Sequence, residues 1–526
     1  MMNSKIFTLS LFLSALSIAT ATPIYLDQTF GPTLAGFSIL PTESFSQINS
    51  IGIKANGNYI GCGIVGQSVL LGEVTNVGNI NMGSFNAPIG YQVLIVDDYA
   101  SCIAATIQTD GKIVFVGGTN LGDVGSMLIM RVSSTGNVDS STFGPPGTGY
   151  VKINLPTNPA NYQYTFATDL DLQPSNGYIV VGGGYYVDTS FAANIVIARL
   201  IVDGNLDASF GTGGIFTHSL GDTSSVTTVV VQPSDEKIVS LILLQVTGVQ
   251  QIGLIRLNVD GTFDSSFGTN GVVTSTVLGD AFVRGMDIQL VGANLNKYVI
   301  CAFKNNQVYF LRYTTAGTLD NSFGSAGIVT LTLPPMTFAQ ISSIKVSTDS
   351  LDNILAGGTL GDGTGILFKL SANGVPDTSF GGPLTPGIQV VSKVQGEELV
   401  FISSVQWDLT GKPVAGGITG QSVLAMRFKS ETTDFITMGS PTSAGPIISS
   451  NQIYVRGKAS QANQRVLVFV DSVEVFRVAT DSRGDWVGGL TAPLTYGSHT
   501  VVSQLIYDVD TVLATDTVAV TLQLPA

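Results

Sequence analysis

Apolar residues in this chain gather in short runs or alternate with polar ones, and clusters of Gly, Asn, Asp and Ser break the pattern at close intervals. Residues 327–380 show the grammar. "GIVTLTL" is a first β-rich segment and "AQISSIKVS" a second. A polar turn, "TDSLDN", precedes a third segment, "ILAGG", and the fourth, "GILFKL", leads through "SANG" into "PDTSFG". Alternation of this kind predicts half-buried strands, and a turn between two such runs predicts a hairpin. The turn returns as "TDGKIVFVGG" at 109, "PSNGYIVVGGG" at 174, "PSDEKIVS" at 233 and "LTGKPVAGG" at 408, which is hairpin chemistry. The paired glycines ending the third segment permit a close approach or a sharp exit where a Cβ would clash. Helical periodicity is missing, which excludes a TIM barrel.

The phrase closing each unit repeats almost letter for letter: "LDASFGTGGIFT" at 206, "FDSSFGTNGVVT" at 263, "LDNSFGSAGIVT" at 319. Its Phe falls at 30, 143, 210, 267, 323 and 380; a worn copy is centred on Phe85 and a terminal one on Phe435, so eight markers bound seven units. Four strands per unit and seven units predict an all-β, seven-bladed β-propeller, in which sheets that cannot bury both faces alone cover one another radially. The first marker precedes a complete blade, and the sequence leaves open whether Ile24–Leu26 lends a strand to the last one.

In five units a cation stands eight residues before the Asp of the phrase: Arg131 and Asp139, Arg199 and Asp207, Arg256 and Asp264, Arg312 and Asp320, Lys369 and Asp377. A turn such as "VDGN" lies midway, so a chain reversal brings the two together. These pairs are expected to lock the fourth strand of one blade to the connection entering the next, with the Phe plugging the gap. The worn unit carries Val74 and Met82 at the two places, as if both partners were lost together.

The phrase "LDxSFGxxGxVxT" preceded by "ARLxxDG", with the "QPxDGKIVVGG"-like turn, resembles the delta-60 repeat, a bacterial family expected to form β-propellers. The likeness runs from Leu26 to the neighbourhood of Phe435, and departs at the worn unit and the longer third one. The family implies no catalytic residues.

The opening, "MMNSKIFTLSLFLSALSIATATPIY", has a basic Lys5, an apolar stretch and Ala19-Thr20-Ala21, the grammar of a secretory signal over 1–21. The propeller is then expected over 22–437 and a linker over 438–450. An Ig-like β-sandwich over 451–526 is expected to follow, where the pattern changes to short alternating strands with a single Trp486. That tail, through Gly457, Ala459, "VLVFVD", "TDSRGDW" and "PLTYGSHTV", is similar to bacterial immunoglobulin-like modules of surface proteins.

The formal charge of -14 argues against nucleic acid or an anionic lipid surface as partner, and no later run is long and apolar enough to span a bilayer. Cys62, Cys102 and Cys301 lie far apart in apolar contexts and are expected as buried free thiols, with a Cys62–Cys102 disulfide as the alternative. His218 and His499 are the chain's two histidines and fall in different domains, so a Ser-His-Asp triad would have to use His218; His499 is expected to be structural. No nucleophile elbow, zinc-protease motif, Walker lysine or EF-hand loop occurs, and "GPPGTG" at 144 and "GDGTG" at 361 read as turns. Asp169 with Asp171, and Asp508 with Asp510, alternate onto one strand face rather than forming a calcium loop, and no metal or cofactor is expected. The third unit's extra residues bring Tyr162, Tyr164, Tyr185, Tyr186, Asp188 and Phe191, aromatics beside carboxylate suited to stacking on sugar rings. The sequence thus predicts an exported, non-catalytic binding or scaffold component at the bacterial surface or outside it, its ligand glycan or protein. An extracellular propeller enzyme acting on polysaccharide through channel carboxylates is the alternative.

Overall fold

A computed structural model of the chain describes residues 26–523 apart from 28, 33–36, 41–44, 123, 156–163, 187–191, 305–306, 334–344, 350, 361–362, 381–386, 392–399, 420–421, 429–435, 441–446, 449–453, 460–464, 480–484, 490–496 and 508–510. The signal segment, Tyr162, Asp188, Phe191, Phe435, Asp508 and Asp510 lie outside the described residues. Seven antiparallel sheets follow one another. Blade 4 is representative: Thr223–Val231 is its inner strand, and Ile238–Val246, Val249–Leu257 and Val272–Ser275 succeed it outward in order. The inner strands touch in sequence around a circle, and that of blade 7, Val400–Trp407, packs against that of blade 1, Ser46–Ile53. The protein is an all-β, seven-bladed propeller with four-stranded blades.

The phase of the repeat differs from the sequence expectation. The segment after each phrase is not the first strand of a new blade. Ile388–Val391, after Phe380, pairs with Gly365–Leu370 and forms the outer edge of blade 6. The cation of each pair therefore sits on a third strand, not a fourth, because the phrase is the loop that turns the chain back onto that strand.

A buried apolar cluster fills each blade-to-blade interface. Inner strands carry a bulge, with register shifts at Ile48/Ser50, Ala167/Asp169, Val226/Thr228, Val283/Gly285 and Ile402/Ser404. The bulge kinks the strand and drives its carbonyl into the second strand: a Cβ on Gly183 would overlap the Phe166 carbonyl, and one on Gly417 that of Phe401. This is why the second strands read "GG". The extra residue also turns a side chain onto the next blade. Asn49 Nδ2 donates to the Cys102 carbonyl at 2.7 Å, Thr168 Oγ1 to that of Val226 at 2.8 Å, and Ser403 Oγ to that of Ile48. One position on, Ser50, Asp169 and Ser404 accept the amides of Ala105, Val229 and Ile51.

Ring closure settles what the sequence left open. Of Ile24–Leu26, Leu26 alone is among the described residues, and it makes a single bridge to Phe428. Phe37–Leu40 is the outer strand of blade 7, paired with Ser422–Arg427. The first copy of the phrase thus completes the last blade.

The thiol expectation is corrected for two of the three cysteines. Cys62 and Cys102 form a disulfide joining blade 1 to blade 2 across 40 residues, with Cα atoms 5.8 Å apart, while Cys301 is buried and free. Cys62, on a second strand, is brought to Cys102 because adjacent blades pack face to face. Replacing both by Ser is expected to lower stability by about 2–4 kcal/mol, measured by urea unfolding; the wild type under reductant should match the variant.

Beyond the propeller, Ile436–Ser440, Tyr454–Ala459 and Asp485–Gly489 form a three-stranded sheet, and five further strands form a second. The segment read as a linker thus includes part of a strand, Ile436–Ser440. Trp486 stands opposite Gly457 in the backbone register, and His499 lies in Gly497–Tyr507. Among the described residues, no helix is long and apolar enough to cross a membrane.

Candidate functional site

Strand direction gives the ring two ends. One carries the turns between inner and second strands together with the repeated phrases; the other carries the hairpins between second and third strands.

At the phrase end the charged pairs meet. Nε donates to the Asp carboxylate at 3.0 Å in Arg131–Asp139, 2.8 Å in Arg199–Asp207, 2.7 Å in Arg256–Asp264 and 2.8 Å in Arg312–Asp320, and Lys369 Nζ lies 2.7 Å from Asp377. Each guanidinium continues to the next blade: Nη1 of Arg131, Arg199, Arg256 and Arg312 donates to the carbonyls of Val202, Val259, Thr315 and Ala372. The same groups lie over the phrase's Phe, with Arg256 4.6 Å from the Phe267 ring centre. That ring fills the space beside Gly317 of the following blade, whose φ of +79° also calls for glycine. Four interactions therefore converge on one Arg: carboxylate, carbonyl, hydroxyl and ring. Lys112, Lys237 and Lys297 add second cations to Asp139, Asp264 and Asp320. Burial alone raises these carboxyls, but hydrogen bonds from Lys237 and Ser266 and the Arg256 charge outweigh it at Asp264, which is held well below the usual carboxylate range.

Two members of the set were missed. Arg427 Nε donates to Asp27 at 2.8 Å across the closure, reaches the Asn76 carbonyl with Nη1, and lies 4.8 Å from the Phe30 ring centre. The letters "LDQTF" at 26 and "RF" at 427 carried the signal, but the pairing runs backwards along the chain. The worn unit is the second. Val74 and Met82 are not the equivalent positions: Asn81 N–H donates to the Glu73 carbonyl as Asp139 N–H does to that of Arg131, so Glu73 and Asn81 stand in the places of cation and Asp. One extra residue before Phe85 shifted the count. The charges are inverted rather than lost, since Lys54 Nζ lies 2.8 Å from Glu73 and donates to the next blade's Ser134 carbonyl at 2.9 Å.

At the hairpin end, the third unit's aromatics divide. Tyr164, Phe166 and Tyr186 share one strand face, with Tyr164 and Tyr186 ring centres 5.3 Å apart. Tyr185 alternates to the other face and packs into the core between blades 2 and 3, so it does not join them. His218 lies on the outer strand of blade 3 with its ring 5.0 Å from Phe263; burial lowers its pKa.

In the inner strands, Asp169 and Asp171 do share a face, as alternation requires, and it faces the edge of the next blade. Asp169 accepts the Val229 amide at 3.1 Å; Asp171 accepts Val231 and Leu172 at 2.8 Å each. Burial, with the charges of Asp169 and Asp287 adding to it, pushes Asp171 up to about 7. A folded-state value above the unfolded one of about 3.9 means that the folded form holds the extra proton, and stability falls as pH rises towards 7. The stability of the wild type minus that of Asp171→Asn is therefore expected to fall between pH 5 and pH 7 by at most about 1.4 kcal/mol per unit and to level off above. Urea midpoints of both proteins across that range check it.

Residues 108–141 and 244–267 match a family model described as "Domain of unknown function (DUF5122) beta-propeller". No curated protein matches the sequence. Among solved structures, PorZ, described as an essential bacterial surface component of the type-IX secretion system of Porphyromonas gingivalis, is 8% identical, with 90% of this chain and 81% of that chain covered and a TM-score of 0.28. A glucose dehydrogenase is 10% identical over 74% of this chain and 98% of its own, at a TM-score of 0.37, and a Lactobacillus plantarum protein 10% identical over 65% and 88%, at 0.38. These likenesses are too distant to transfer any activity. The family description and the seven closed sheets agree on one architecture, a β-propeller.

Proposed function

We propose that the protein is an exported, non-catalytic binding or scaffold component that acts at the bacterial surface or outside the cell, with a signal segment over 1–21 and an immunoglobulin-like module after the propeller. The observation that carries the reading is the commitment of the repeat's charged groups to blade-to-blade bonds, which leaves recognition to surface loops and clefts. The Cys62–Cys102 disulfide supports an oxidising compartment. One observation favours the alternative, a polysaccharide-active enzyme: Asp171 titrates near neutrality with Asp169 and Asp287 close enough to raise it, as a catalytic acid does. Against it, both Asp171 oxygens already accept backbone amides.

Expressed as the full chain in a bacterial host, the protein should be recovered outside the cytoplasm with Thr22 as its first residue and Cys62–Cys102 oxidised. Retention in the cytoplasm with Met1 intact refutes export. Release of reducing ends from a polysaccharide panel, abolished by Asp171→Asn, would replace the binding reading with the enzymatic one.

A further inference from the structure

At the phrase end, the turns of blades 3 to 6 are tied to one another. The Ser175 amide donates to Glu236 at 2.8 Å between blades 3 and 4, Asn296 Nδ2 to Ser234 at 2.6 Å between blades 4 and 5, and the Leu290 and Val291 amides to Asp352 between blades 5 and 6. Among the described residues, no hydrogen bond joins the turn of blade 2 to that of blade 3. The blade 2 turn, "TDGK", is one residue shorter than "PSNGY", and a cleft of 690 Å³ opens between them. That volume falls within the range of about 300–1,000 Å³ typical of small-molecule sites.

The lining is polar yet balanced in charge. Lys112 is paired with Asp110 at 3.1 Å and lies 3.7 Å from Asp139, and Arg131 is held by Asp139 and Thr142. Asp203 lines the opposite side. An anionic ligand would therefore find no unpaired cation there.

Gln173 lines the same cleft. It is 1% exposed, and neither its Nε2 nor its Oε1 has a hydrogen-bond partner. Its counterparts differ: Gln232 accepts from the Tyr298 hydroxyl at 2.8 Å, and Gln289 accepts from Arg312 and donates to the Asp352 and Ala372 carbonyls. In blade 4 the position equivalent to Tyr298 is Ile238, which stands opposite Leu257 as Tyr298 stands opposite Tyr313, so Gln173 has no such hydroxyl. A buried amide without partners is a cost to folding that a ligand bearing adjacent hydroxyls removes, since one hydroxyl donates to Oε1 while another accepts from Nε2.

We infer that the cleft between blades 2 and 3 binds a neutral saccharide, with the Gln173 amide as its anchor. The inference rests on the binding reading above and gives it a site at the end of the ring opposite the Tyr164–Tyr186 face. The test titrates the full chain with glucose, N-acetylglucosamine, cellobiose, chitobiose and galacturonate by calorimetry and saturation-transfer NMR. A neutral sugar is expected to bind saturably, and galacturonate is not. Gln173→Leu should weaken that binding at least about tenfold while leaving the thermal midpoint unchanged or higher, and Tyr186→Ala should leave affinity as it is. The inference is overturned if none of the neutral probes binds, if Gln173→Leu binds as the wild type does, or if that variant melts well below it, which would make the amide structural. Export with Thr22 exposed, without sugar binding, would sink this inference alone and leave the broader reading standing.

Discussion

Asp27→Ala is expected to destabilise the propeller by about 3–5 kcal/mol, more than the same change at Asp377. Asp27 holds both Arg427, at 2.8 Å, and Lys412, at 2.6 Å, and its side chain is 6% exposed, whereas Asp377 faces one lysine and is 25% exposed. Removing a buried carboxylate leaves two cations facing each other, and a partly exposed pair contributes far less. The interface concerned packs around Phe30, Ile48, Ile51 and Tyr59. Burial pushes the Asp27 carboxyl up, but hydrogen bonds from Lys412 and Thr29 and the Arg427 charge bring it down to about 2. Since that is below the unfolded value of about 3.9, the stabilisation is present above pH 4 and is lost as pH falls through 2. Urea unfolding at pH 7 and at pH 3 should show the gap between wild type and variant narrowing in acid.

The second large effect concerns a substitution that the repeat itself recommends. Glu73→Arg installs the residue found at the same place in blades 2 to 5, and it is expected to cost about 3–5 kcal/mol rather than to stabilise. Glu73 is enclosed by Lys54, Asn58 and Asn81; an arginine there would meet Lys54 with no carboxylate between them. Adding Lys54→Gln and Asn81→Asp rebuilds the set present in blade 2, where Gln108 and Asp139 flank Arg131. The triple variant should recover most of the loss by urea unfolding, and failure of the two additions to rescue would mean that the inverted pair is not a unit.

Much of the architecture is legible in the letters because the repeat keeps the same residue types at the same interval: the count of blades, the strand number and the eight-residue pairing come straight from spacing. What spacing could not convey is which strand belongs to which sheet. The outer strand follows its phrase in sequence, so a unit read from Phe to Phe straddles two blades, and the arginine moves from fourth strand to third. Arg427 and Asp27 escaped because their partnership reverses chain order, and Glu73 because a one-residue insertion displaced the count. Cys62 and Cys102 carried no motif; their meeting depends on how faces of adjacent sheets oppose each other. Tyr185 shows the reverse lesson, since strict alternation along its strand already separates it from Tyr186 in the sequence. The cleft by Gln173 lies where a turn shorter by one residue meets a longer one, a difference the letters carry although they do not show that a cleft opens there.

The outer strand of blade 7 comes from the opposite extremity of the propeller, with Asp27 and Arg427 400 residues apart. A chain made or threaded through a membrane from its amino end presents Phe37–Leu40 first and must leave it unpaired until Ser422–Arg427 arrives. Blades 1 to 6 can assemble as they emerge, but the last joining event waits for nearly the whole polypeptide and carries the largest loop-closure entropy. A polypeptide truncated before Arg427 would therefore leave an unpaired strand edge and an uncovered blade flank, the kind of surface on which misassembly with a second molecule begins.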